Sequence, residues 1–600
     1  MPLRGTIVVL LLVSVSFAND KAVQVPSLLV AYPSASKVLL QWAKLANATD
    51  YTVEYKQSTA SAWITFMDGV SATPGVTITG LTNGISYDFR VTAKINGAAT
   101  DASTICTATP TAVYNNHLYN QILSTGQSLS VGWTGSPPLS TTQPFSNVML
   151  NADSSAFIPL VEPATNSQPN VESMSSGMAN MLSYLTNLPS TQIKSIVTLN
   201  GIGNTGYSGL KKGTVPYAKG INWMNDARDL SNAALIPYRV NAITCIHGES
   251  DESNGASAST YEGYLKQWQS DYEKDMKAIT GQDDTIPMFI CQVSSWQDYG
   301  HATPKVALGQ LNAALDNPGK IYLVAPKYML DYNRAAGGVH LTNYSYRRLG
   351  EYYGKVMKKV LVDKRPWLPL LPTSIKLKGD VITVGFNVPS PPLQFDTSAV
   401  MFKENYGFEY FDKTMSASIS KVAITGPQTV TITLNKIPTG TAKELAYAYT
   451  GVPDSVSGRN IPGSPKGNLC DSDTMSAFYR DSKVPSSMGT VLKNWCVTFC
   501  DTIDTTSSVV SAVKHSVPMA TNTCLNVSSN TIFFSLASAN TVSLEVFDAS
   551  GKKIVTLLSG FQASGSYSFN LKNRFVGDNM LICKLTIGGV ATTRTIMQGR

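Results

Sequence analysis

The chain has little charge, little histidine and little cysteine. Asp, Glu, Lys and Arg make up 14% of it, and the net charge of +7 is diluted over 600 residues. No block of Lys or Arg stands out, which argues against binding nucleic acid. The 8 cysteines are too dispersed for a disulfide-dense scaffold, and none has zinc-ribbon spacing. With 5 histidines in all, few residues can serve as a base. No His/Asp/Glu cluster has ligand spacing, so neither a metal nor another cofactor is expected. Beyond the N-terminus no apolar run approaches the roughly 20 residues a bilayer span needs. There is no Walker motif. Gly201-Ile202-Gly203, with Gly206, matches a Gly-x-Gly-x-x-Gly pattern but lacks the ensuing long helix and acidic partner of a dinucleotide site.

Hydrophobic residues account for 43% of the chain, a globular composition whose surfaces are polar but uncharged. Such surfaces are common in secreted proteins that face neutral polymers. The length favours three or four domains. At the N-terminus, Arg4 precedes an apolar run at 6–15, and Ser16-Phe17-Ala18 fits a small-x-small cleavage site. Residues 1–18 are therefore expected to be a secretory signal, and the protein to be extracellular. Cys245 and Cys291 lie in apolar, strand-like runs and read as buried thiols. Cys470, Cys496 and Cys500 are close enough for one bridge among them, and Cys524 and Cys583 can close the last domain, although spacing does not fix any pairing.

From 22 to 110 the pattern is all-β. Val38-Leu39-Leu40-Gln41-Trp42 is one strand, and Tyr51-Thr52-Val53-Glu54-Tyr55 and Tyr87-Asp88-Phe89-Arg90-Val91 alternate as half-buried strands do. This stretch resembles a fibronectin type III domain. Trp42 would be its core tryptophan, and Leu81 with Tyr87 its tyrosine corner. The resemblance implies a spacer or a glycan-contacting surface, with the spacer favoured.

Between 113 and 365 short apolar strands alternate with amphipathic helices, which predicts a parallel α/β sheet. Strands are expected at 194–199, 242–246, 288–293 and 321–324, and helices at 174–185 and 261–279. A last helix comes after His340, with Thr342 as N-cap and Leu349, Tyr353, Val356 and Val360 on one face. The Pro-rich stretch 366–372 reads as a linker. A β-sandwich is expected from 370 to 500, with Asn494-Trp495-Cys496-Val497-Thr498-Phe499 as its closing strand. After a Ser/Thr-rich connector, residues 512–600 are β again. They resemble the immunoglobulin-like C-terminal tails of secreted bacterial enzymes, some of which serve in export or cell-surface attachment.

Four blocks carry chemistry: Gly126-Gln127-Ser128-Leu129-Ser130-Val131-Gly132, then Asn200-Gly201-Ile202-Gly203-Asn204-Thr205-Gly206, then His247-Gly248-Glu249-Ser250-Asp251, then Gly338-Val339-His340-Leu341-Thr342. In open α/β sheets ligands lie beyond the carboxyl ends of the strands, and the first three blocks each come directly after an apolar run. A serine needs a base within reach to become a nucleophile, and His340 is the candidate. Taken together in this order, the blocks resemble the SGNH hydrolase superfamily, in particular its sialate O-acetylesterase and acetylxylan esterase branch. That resemblance implies a multidomain chain whose central α/β/α domain, flavodoxin-like with a parallel sheet, is flanked by β-sandwiches. It implies Ser128 rather than Ser130 as nucleophile and His340 as base. The oxyanion hole would use the N–H groups of Ser128 and Gly203, with Asn204 or His247 as a side-chain donor. His247 stands where this branch usually carries Gln.

The acid departs from the family pattern. Three residues before the catalytic histidine the family has Asp, and here that position is Gly337. Glu249 is favoured as its replacement, with Asp251 and Asp331 as alternatives; a Ser–His dyad without acid, and a purely structural Glu249, remain open. The activity implied is removal of O-acetyl groups from a carbohydrate, with acetylated xylan first and acetylated sialic acid second. The competing readings are a glycan-binding or adhesion protein on a degenerate hydrolase domain, and a different esterase or lipase, for which no apolar lid is evident.

Overall fold

The computed structural model describes residues 25–27, 29–34, 36–110, 119–186, 195–234, 236, 238–480, 489–504, 526–528, 531–536, 540–548, 552–562, 565–570, 580–587 and 590–597. The expected signal segment and Cys524 lie outside the described residues. The chain is a multidomain mixed α/β protein with a large mixed sheet and several smaller β-sheets. It divides into two units, 1–515 and 516–600.

In the larger unit, residues 30–108 form two antiparallel sheets. One holds Val30–Ser34, Lys37–Gln41 and Gly75–Thr79; the other is built on Ala48–Gln57 and Tyr87–Ile95. Alternation puts Val53, Phe89, Val91, Val38 and Leu40 between the sheets, with Trp42 edge-on to Tyr51 at 5.2 Å. The Tyr87 hydroxyl accepts from Thr82 N–H at 3.2 Å. Gln41 fastens this region to the next, donating to Thr280 O and accepting from Tyr238 N–H.

The central sheet has seven strands: β1 Tyr119–Gly126, β2 Val148–Leu150, β3 Phe157–Pro159, β4 Ile196–Leu199, β5 Tyr238–Ile246, β6 Met288–Gln292 and β7 Ile321–Pro326. Their order is β3-β2-β4-β1-β5-β6-β7, parallel except for the β2–β3 pair. β4, β5 and β6 are almost wholly buried, as strands covered on both faces must be, and this is why they read as plain apolar runs. Six helices accompany the sheet: α1 Ser175–Thr186, α2 Val215–Ala233, α3 Glu249–Ser253, α4 Ala258–Thr280, α5 Val306–Asp316 and α6 Asn343–Met357. Thr342 is the N-cap of α6, its hydroxyl accepting from Ser345 N–H. α6 crosses α1 so closely that a Cβ on Gly350 would strike the Met174 carbonyl oxygen.

The stretch 366–372 is packed rather than free. Trp367 is buried with its Nε1–H on Leu323 O at 2.8 Å, and the strand Leu371–Lys378 begins inside it. Beyond it lie a four-stranded sheet (Leu371–Lys378, Val381–Asn387, Thr429–Leu434, Ile419–Gly426) and a three-stranded one (Phe408–Phe411, Glu444–Tyr447, Phe499–Thr502). The expected closing strand starts at Phe499, not at Asn494. The residues before it are bound to the α/β region: Cys496 O accepts from Tyr328 OH, and Thr498 exchanges hydrogen bonds with the Gln292 amide.

All seven described cysteines are free thiols. The bridge expected among Cys470, Cys496 and Cys500 is absent because Cys470 pairs across with Trp495 and Cys500 with Ala446. Cys496 is next to Trp495, so alternation turns it to the other face. The described residues of the smaller unit form a three-stranded and a four-stranded antiparallel sheet around Phe534, Val542, Leu544, Val546, Cys583 and Leu585. No helix among the described residues is long and apolar enough to cross a membrane.

Candidate active site

β1 is the hub of the site. β4 flanks it on one side and β5 on the other, so the chain leaves all three carboxyl ends at one place, where the strand order reverses. Gly126 ends β1 with φ +134°, beside Ile246 at the end of β5. A Cβ there would strike the Ile246 carbonyl oxygen, so this turn admits only glycine.

Gln127 then ties the blocks together. Its N–H donates to Ile246 O at 3.1 Å, and its Oε1 accepts from Ser250 N–H at 3.1 Å and, more weakly, Gly248 N–H at 3.4 Å. The second block is held by Ile202 N–H on Gly126 O at 3.0 Å. The fourth block is held by Asn333 N–H on His340 O and Thr342 N–H on Asp331 O, at 2.6 and 3.0 Å.

The structure brings Ser128 and His340 together: Oγ and Nε2 are 2.9 Å apart. For Nε2 to accept the serine proton, the ring hydrogen must sit on Nδ1. That Nδ1 is buried and has no hydrogen-bond partner among the described residues. Burial holds the His340 pKa below its ordinary value; the charge of Glu249 acts against this and that of Lys327 with it. The N–H groups of Ser128 and Gly203 donate to no acceptor among the described residues, as an oxyanion hole requires. A Cβ on Gly203 would lie 3.9 Å from Ser128 Cβ, so the loop passes directly over the serine.

The other expected site residues are arranged differently. Asn204 is exposed in a left-handed turn, φ +52°. His247 is buried, and both its ring nitrogens are engaged away from Ser128. Its Nε2 lies 3.0 Å from Thr205 O, and its Nδ1 2.8 Å from the Tyr261 hydroxyl. A carbonyl only accepts, so Nε2 carries the hydrogen and Nδ1 accepts from Tyr261. Burial lowers the His247 pKa despite Asp251 at 3.5 Å, which keeps the ring neutral. Asp251 accepts from Tyr207 N–H at 3.0 Å, so His247 and Asp251 both brace the 203–207 loop. Asp331 is held by Arg459, with contacts of 2.8 and 3.0 Å. Gly337 is exposed with φ +90°.

Glu249 opens α3 and is wholly buried. Its Oε1 is paired with Nζ of Lys327, equally buried, while its Oε2 has no hydrogen-bond partner among the described residues. Burial alone would push the Lys327 ammonium down; Glu249, together with Cys291 and Cys245, offsets this and holds it above its ordinary value. Two complementary orphans therefore lie in one buried region, the Nδ1–H of His340 and the Oε2 of Glu249. Lys327 was not foreseen from the sequence, nor was Trp133, whose ring centroid is 6.3 Å from that of His340. The position of Lys327 directly after the apolar run 321–326 was the signal available for it. No group of three or more His, Cys, Asp or Glu among the described residues could hold a metal ion.

Residues 120–359 match the family model of the carbohydrate esterases, sialic acid-specific acetylesterase. This segment is related to the carbohydrate acetylesterases. The match supports an esterase function in general. Similar solved structures include a carbohydrate acetylesterase from Xanthomonas citri, 15% identical, covering 74% of this chain and 100% of that one, with a TM-score of 0.42. A protein from Arabidopsis thaliana is 16% identical and covers 40% of this chain and 99% of its own, TM-score 0.33. NanS is 12% identical, with 41% and 98% covered and a TM-score of 0.32. Comparison with curated proteins gives no match.

Proposed function

We propose that the chain is a secreted serine esterase that removes O-acetyl groups from a carbohydrate, through a central domain of the SGNH kind. The observation that carries this reading is the 2.9 Å contact between Ser128 Oγ and His340 Nε2 inside the segment related to carbohydrate esterases. Ser128 Oγ attacks the acetyl carbonyl carbon as its proton passes to His340 Nε2. The oxyanion is met by the free N–H groups of Ser128 and Gly203. The tetrahedral species collapses, breaking the bond to the sugar oxygen, which takes the proton from His340. Water, deprotonated by His340, then releases acetate and restores the serine. Glu249 acts on His340 through its charge, held in place by Lys327. The exposed Asn204 can turn toward the oxyanion, whereas His247, Asp251 and Asp331 hold loops. Acetylated xylan is the first choice of substrate and acetylated sialic acid the second. The region 22–110 serves as a fibronectin-like spacer, and 512–600 as an export or surface-attachment module.

Acetate release from acetylated xylan, O-acetylated sialic acid and an aryl acetate tests the reading. Ser128→Ala is expected to lower turnover at least about a thousandfold. Equal rates in the two proteins would sink the mechanism. The unpartnered Nδ1 of His340 favours one second reading, a glycan-binding module without turnover. It predicts sugar binding with no acetate release by the wild type.

A further inference from the structure

We propose that the indole of Trp133 is a shelf on which the pyranose ring of the acetylated sugar lies. The proposal rests on the esterase reading of the same site and names how that site would hold its substrate. A single exposed apolar side chain is ordinary on a protein surface, so the case rests on where this one sits. Trp133 is 42% exposed, five residues after the nucleophile. Its ring lies 6.3 Å from the His340 ring, tilted by 39°. A Cβ added at Gly203 would be 3.9 Å from Ser128 Cβ and also 3.9 Å from Cε3 and Cζ3 of Trp133. The serine, the loop bearing the free Gly203 N–H and the indole thus converge on one small volume.

The indole is exposed, but its backbone is not free. Trp133 N–H donates to Ser128 O at 3.1 Å, and Trp133 O accepts from the Tyr346 hydroxyl on α6 at 2.9 Å. The next residue, Thr134, is held at φ +63°, an uncommon conformation for a β-branched residue, and its carbonyl accepts from the Asn333 amide at 3.1 Å. A strained turn is pinned from α6 and from the loop that precedes His340, and it presents a solvent-facing aromatic plane. The C–H face of a pyranose is apolar and weakly positive, so it suits the negative face of an indole. An acetoxy group at the edge of a ring so placed reaches toward Ser128 and the two free N–H groups. Charged contacts are not needed, which fits a neutral sugar ring.

The test separates the shelf from the chemistry. Ser128→Ala and Ser128→Ala/Trp133→Ala would be titrated calorimetrically with O-acetylated xylo-oligosaccharides and with O-acetylated sialic acid. The expected result is a tenfold or larger rise in Kd for at least one sugar when Trp133 becomes Ala, most of it recovered with Trp133→Phe. With Ser128 intact, Trp133→Ala is expected to lower kcat/KM for the sugar at least tenfold more than for ethyl acetate, which has no ring. Equal Kd values in the two proteins, or no binding of either sugar by Ser128→Ala, would overturn the shelf. Trp133-dependent binding without hydrolysis by the wild type would uphold the shelf and overturn the esterase reading instead.

Discussion

His340 must be neutral to accept the serine proton, and burial makes its protonation harder. The active form therefore persists below the ordinary histidine pKa of about 6.5. The acid limb of kcat/KM is expected below that pH. Glu249→Gln removes a negative charge that opposes this shift and leaves the Lys327 ammonium acting alone, so the limb should move lower still as turnover drops. An upward movement would exclude Glu249 as the supporting charge. Breaking a buried ion pair from one side typically costs about 3–5 kcal/mol. Lys327→Met should therefore destabilise the protein by roughly that amount in urea unfolding, and the double variant Glu249→Gln/Lys327→Met by distinctly less. The contact between Ser128 and His340 was legible through the family resemblance of the four blocks, helped by the scarcity of histidine. Lys327 and Trp133 were not: the apolar run before Lys327 marks a strand end without showing that its charge is buried, and the exposure of the Trp133 indole is not written in the local sequence.

Among the elements, β4, β5, β6 and β7 were readable as apolar runs because both their faces are covered, whereas β1 and β2 were not foreseen. α2 was missed. Its buried face mixes Gly220, Trp223, Met224 and Ala227 with Arg228, Ser231 and Asn232, so its apolar stripe is diluted. Two glycines in helices make opposite predictions from one substitution. In α4, Gly263 has open space where a Cβ would go, and Gly263→Ala should stabilise by about 0.5–1 kcal/mol through helix propensity. In α6, Gly350→Ala drives a methyl into the α1 backbone and should lower Tm by several degrees. The same displacement loosens the helix that begins just after His340, so acetate release should fall with it. Thermal melts of both variants, with activity measured on the second, check the contrast.

For the whole molecule, the sequence boundaries predict a separable α/β domain, but the contacts join it to the β-region on its C-terminal side. Gln292 with Thr498, Tyr328 with Cys496, Leu323 with Trp367 and Asp331 with Arg459 all cross the boundary near 365. A truncation after residue 365 is expected to give little soluble protein, whereas one after residue 504 should keep acetate release from a soluble ester within about twofold, since it removes only the second unit and its connector. Soluble yield and specific activity of the two truncations decide this. Such long-range partners could not be read from sequence because each joins one polar group to a remote one, and the acceptor is in several cases a backbone carbonyl. The Arg459 clamp has a consequence in time. The loop that carries the histidine leaves the ribosome well before the arginine that grips it, 128 residues later. A nascent chain therefore displays its serine early but lacks an anchored base until the β-region bearing Arg459 has emerged. On the proposed esterase reading, acetate release by ribosome-bound chains would begin only once synthesis has passed that point.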